Sequence, residues 1–70
     1  MQTIRMDEVQ IGDLLVDATG LRVYCSNVER ASEPEWSTGR VPVIITDVNG
    51  MKFHQDPTNT VNLVEREGQL

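Results

Sequence analysis

Seventy residues with eleven acidic and six basic side chains give one small domain of net charge −5. A chain this short buries only about 60% of the surface its unfolded form exposes. Its one cysteine excludes an internal disulfide, no Cys/His cluster offers a metal site, and the acidity opposes the counterion release that drives most nucleic-acid binding.

Read from the start, Met1 to Asp7 lacks the basic and apolar regions of a secretory signal, and no later run approaches the roughly 18 apolar residues of a membrane span. Gln2 to Arg5 alternates polar and apolar side chains, which predicts a short first strand. Met6 to Asp13 carries an acidic pair, Asp7-Glu8, and Gly12, so a tight turn or a single helical turn is expected there. Leu14 to Asp17 reads as a second strand stopped by Ala18-Thr19-Gly20. Leu21 to Cys25 then alternates with Leu21, Val23 and Cys25 on one face, while Val28 falls on the opposite parity. That slip predicts a bulge or bend near Ser26-Asn27.

Ala31 to Gly39 is polar, contains Pro34 and the only tryptophan, Trp36, and is expected to be the principal loop. Val41 to His54 follows as two β-prone runs joined by Asn49-Gly50, a pair suited to a two-residue type I′ turn. That turn would set Val48 opposite Met51, Asp47 opposite Lys52, Thr46 opposite Phe53 and Ile45 opposite His54. Gln55 to Asn59 reads as a turn around Pro57, Thr60 to Arg66 as the last strand, and Glu67 to Leu70 as a frayed tail. The fold class expected is all-β: residues 1–66 form one strongly bent, five- or six-stranded antiparallel barrel with at most a single helical turn.

The order of Val9-Gln-Ile-Gly-Asp-Leu-Leu-Val16, Leu21-Arg-Val-Tyr24, a variable loop, Val48-Asn-Gly50 and Val61-Asn-Leu-Val-Glu-Arg66 resembles the small SH3-like β-barrels. In particular it resembles the short stand-alone barrel proteins of tailed bacteriophages. The resemblance implies a binding surface shaped by the loop after the second long strand and by the hairpin tips, here Glu33, Glu35, Trp36 and Arg40. It also implies a phage-type accessory protein acting on a host protein in the host cytoplasm. Recognition of Pro-rich ligands is not expected, because Tyr24, Trp36 and Phe53 are too few aromatics for such a groove.

The chemistry is sparse. The glycines at 12, 20, 39, 50 and 68 are isolated, so there is no phosphate-binding loop. His54 near Asp56 lacks a recognisable nucleophile and lacks the further ligands a metal needs, so no catalytic residue, metal or cofactor is expected. Cys25 reads as a small buried hydrophobe in a reducing, cytoplasmic setting. Trp36 has two readings, a lid folded over a thin core or an exposed anchor for a protein partner. The alternative is a nucleic-acid face gathered from Arg22, Arg30, Arg40, Lys52 and His54. A thin core and an open sheet edge also make a homodimer the expectation.

Overall fold

Alternation with a period of two governs the burial of the longer strands, as expected for chains that turn one face to a core and the other to water. In the computed structural model, which describes residues 1–66, these are β1 (Gln2–Arg5), β2 (Leu14–Val16), β3 (Arg22–Arg30), β4 (Val43–Asp47), β5 (Lys52–Gln55) and β6 (Thr60–Glu65). The only helical element described is a 3₁₀ turn at Met6–Glu8. The expected tail at 67–70 lies outside the described residues. All neighbouring strands pair antiparallel in the order β1-β6-β2-β3-β4-β5, so the all-β class and the single helical turn are borne out.

The inward positions come from every part of the chain. Ile4, Leu15, Cys25, Val43, Ile45, Val61 and Leu63 join Met6 and Val9 in one core, with Val23 and Val28 packed against it. Burial of this set is the main favourable term for folding. Val23 and Val28 can share that core only because β3 changes phase between them. Its pairing with β4 shifts between Cys25 and Asn27, and Ser26 is the extra residue. The Ser26 hydroxyl donates to the Asp47 carbonyl at 2.8 Å, with the Thr46 carbonyl at 3.1 Å, so the bulge is fastened across the sheet. Arg22 to Tyr24 of β3 pair with β2, and from Cys25 onward, across the bulge, the strand pairs with β4, which bends the sheet about this strand.

β1 and β5 are the outer strands. The gap between them is narrowed by the 3₁₀ turn, where the Met6 N–H donates to Asn59 O at 2.8 Å and the Asp7 N–H to Pro57 O at 3.2 Å. A bent, barrel-like sheet results. Its acidic turn is also tied from the far end of the chain: Asp13, fully buried at 0% exposure, accepts from Arg66 Nε at 2.8 Å and Nη2 at 3.0 Å and from the Gln10 N–H at 2.9 Å.

The β4–β5 hairpin turns at Asn49-Gly50, but its register differs from the one expected by a residue. Ile45 faces Phe53, Ile44 faces His54 and Thr46 faces Lys52. A type I′ turn needs positive φ at both central residues, and only Gly50, at φ 83°, has it. The loop is therefore Val48-Asn49-Gly50, three residues with the glycine in the left-handed position. Asp47 is the cause: its Oδ1 accepts the N–H groups of Asn49 at 2.8 Å and Met51 at 2.9 Å, while its own N–H donates to Met51 O. With that carboxylate committed to the turn, the expected pairing of Asp47 with Lys52 does not form. Asp17 builds the β2–β3 turn with the same bonds to Thr19 and Leu21, and those bonds lower its pKa, the Thr19 hydroxyl most of all.

Candidate functional site

Twelve residues, 31–42, connect β3 to β4. Two backbone bonds give this loop a hairpin-like stem, Ala31 N–H to Pro42 O at 3.0 Å and Glu35 N–H to Arg40 O at 2.8 Å. Inside the second, the Gly39 N–H donates to Glu35 O at 2.7 Å, and Gly39 takes φ 72°, a conformation that suits glycine. The Arg40 N–H donates to Thr38 Oγ1 at 3.2 Å. The backbone of the loop thus satisfies much of its own hydrogen bonding and fixes where its side chains emerge.

Trp36 emerges into water. Its 94% exposure overturns the reading of a lid over the core. Val43 and Ile45 supply the inward positions of β4, and Trp36 sits within the 35–40 turn, whose backbone bonds close on themselves. Glu35 directly precedes it and Glu33 lies three positions before, both also exposed. The ion pairs among the described residues are Arg5–Asp7, Arg40–Asp56 and Arg66–Asp13, so neither glutamate is in one.

Arg40, the fourth residue of the expected surface, points back rather than out. Its Nε lies 3.1 and 3.2 Å from the two Asp56 carboxylate oxygens, and its Nη2 lies 3.0 Å from Oδ2. That bidentate bond, with further donation from the Thr58 hydroxyl and N–H, holds the Asp56 pKa down at about 2. The pair anchors the loop to the β5–β6 turn. Between them lies an open cleft of about 420 Å³ walled by Glu35, Thr38, Arg40, His54 and Asp56. The arrangement brings together two carboxylates, one neutralised guanidinium, the His54 imidazole and the hydroxyls of Ser37 and Thr38.

The residues of the alternative face divide: Arg40 and His54 line one cleft, while the arginines of β3 are separated. Arg22 and Arg30 stand at opposite ends of β3, about 25 Å along an extended strand. The Ser26 bulge between them reverses the strand's phase, so Arg22 shares its parity with exposed Tyr24, whereas Arg30 shares its parity with inward Val28. Lys52 and His54 lie together on the exposed side of β5, and Arg40 is committed to Asp56. These five side chains form no single patch.

One surface was missed by sequence reasoning. At the other end of β4 an apolar cleft of about 390 Å³ is lined by Ile11, Leu14, Tyr24, Val48 and Glu65 among others. Its signal was an apolar residue inside each of two turns, Ile11 in Gln-Ile-Gly and Val48 in Asp-Val-Asn-Gly. Cys25 borders it but is buried, and desolvation followed by the Asp13 charge pushes its thiol up to about 11, far from a reactive thiolate. No helix among the described residues is long and apolar enough to cross a membrane. Comparison with known proteins finds no matching family model, no matching curated protein and no matching solved structure.

Proposed function

We propose that this chain is a non-catalytic protein-interaction module, a phage-type accessory protein that binds and modulates a host protein through the loop at 31–42. The observation that carries the reading is Trp36, almost wholly exposed on a loop whose backbone is internally bonded. An indole held in water costs solvation free energy that a partner pocket returns, and tryptophan is among the commonest hot-spot residues at interfaces. Glu33 and Glu35 supply a charged rim, and Arg40 works from behind by bonding Asp56. The separation of Arg22 from Arg30 gives the nucleic-acid alternative no comparable support.

The test is capture by the immobilised chain from a bacterial host lysate, repeated with Trp36→Ala. A partner that binds the native chain and loses about 2 kcal/mol of affinity, near 30-fold, in Trp36→Ala supports the assignment. A partner held equally by both retires it. Self-association is a second proposal, supported by the two outer strands and by the apolar cleft at Ile11, Tyr24 and Val48. Sedimentation velocity showing only single-chain mass at millimolar concentration would remove it.

A further inference from the structure

Resting on the reading of the 31–42 loop as the binding surface, we infer that its partner is an extended, arginine-bearing segment of a protein, with one guanidinium stacked on the Trp36 ring. Three observations converge on that chemistry. The face of an indole is electron-rich and attracts a flat cation, and this one is open at 94% exposure. Glu33 and Glu35, on either side of Pro34 and within three positions of Trp36 in the chain, are exposed and outside every ion pair among the described residues. The one basic residue of the loop, Arg40, is already neutralised by Asp56, so it is in no ion pair with those carboxylates.

The cleft between the loop and the β5–β6 turn extends the same logic. Glu35 forms part of its wall, and its volume of about 420 Å³ leaves room for a second long side chain of the partner. A guanidinium fits the surface better than an ammonium, since it stacks flat on the indole while its edge N–H groups reach a carboxylate. The net charge of −5 adds long-range attraction for such a segment and speeds encounter at low salt. An acidic or purely apolar partner would leave both glutamates desolvated without a counter-charge.

The probes are three dodecapeptides of alternating serine with arginine, lysine or glutamine, titrated against the intact chain. Trp36 is the sole tryptophan, so its emission reports on the site directly. The arginine peptide should shift that emission saturably, bind about five-fold tighter than the lysine peptide, and leave the glutamine peptide without detectable binding. Glu33→Gln and Glu35→Gln should each weaken it about three- to five-fold, whereas Glu8→Gln, which removes the same charge at the 3₁₀ turn and keeps an oxygen to accept the Arg5 N–H, should not. Calorimetry of Trp36→Ala should show at least a ten-fold loss.

Equal binding of the arginine and glutamine peptides, or equal loss from Glu8→Gln and Glu35→Gln, would overturn the inference. A captured natural partner that needs Trp36 but ignores both glutamates would also overturn it while leaving the loop as the binding surface. A partner that ignores Trp36 would sink both.

Discussion

The chain reverses direction in two contrasting ways, through aspartate turns and through the loop at 31–42. At Asp17 five residues join the strands and after Asp47 four do, and one carboxylate satisfies the N–H groups that each turn would otherwise leave open. Between β3 and β4, also antiparallel neighbours, the chain spends twelve residues on the same topological task. Its stem bonds make it orderly, yet its acidic side chains and its indole are left without partners inside the described fold. Connectivity demands none of that excess. The carboxylates of the tight turns serve folding, whereas in the long loop Thr38 and Arg40 are bonded within the fold and Glu33 and Glu35 are in no ion pair among the described residues.

The sharpest way to break this contrast is at the most deeply buried of the turn aspartates. Asp13 accepts from Arg66 and from the Gln10 N–H with no exposure to solvent. Asp13→Ala deletes the charge-assisted bonds and strands the Gln10 N–H, and should destabilise the fold by about 3 kcal/mol in urea unfolding. A loss below about 1 kcal/mol would show that turn carboxylates are dispensable. Asp47→Ala, at the half-buried hairpin turn, should cost about 1–2 kcal/mol by the same measurement.

Those same turns explain how much was legible beforehand. Apolar parity along Leu21–Cys25 and the off-phase Val28 located the bulge, because backbone pleating is a local property. The register of β4–β5 was misread because Asn49-Gly50 permits two turn types, and the choice between them was made by Asp47, a residue outside the pair. Trp36 was singled out from its polar neighbourhood, but its exposure depended on whether the core had an opening left to cover. Val43 and Ile45 fill that end, which no local pattern reports. Likewise Arg40 was grouped with the binding residues, and only the fold brings Asp56, sixteen positions away, to neutralise it.

The anchor of the long loop can be tested through protons. The Asp56 carboxyl titrates at about 2 in the folded chain against an ordinary value of 3.8, mainly because Arg40 bonds its charged form and secondly because Thr58 does. The folded pKa lies below the unfolded one, so the contribution is whole above about pH 4 and disappears as the pH falls through about 2. In Arg40→Ala the carboxyl should titrate closer to 3.8 without reaching it, since Thr58 still donates from its N–H and hydroxyl. Carbon-13 NMR of the Asp56 carboxyl follows this directly. An unmoved titration would mean that the loop is not fastened there in solution.

The smallest expected effect on stability sharpens the comparison most. Trp36→Ala removes the largest side chain of the loop, and in a core position that truncation costs about 3–5 kcal/mol. Here the ring buries almost nothing, so the unfolding free energy should change by less than about 0.5 kcal/mol. A loss of 2 kcal/mol would place the indole against the core in solution and return Trp36 to the class of residues that serve folding. A neutral result combined with weakened partner binding would separate the two roles within one connection: stem bonds that hold the loop in shape, and a ring whose purpose lies in another molecule.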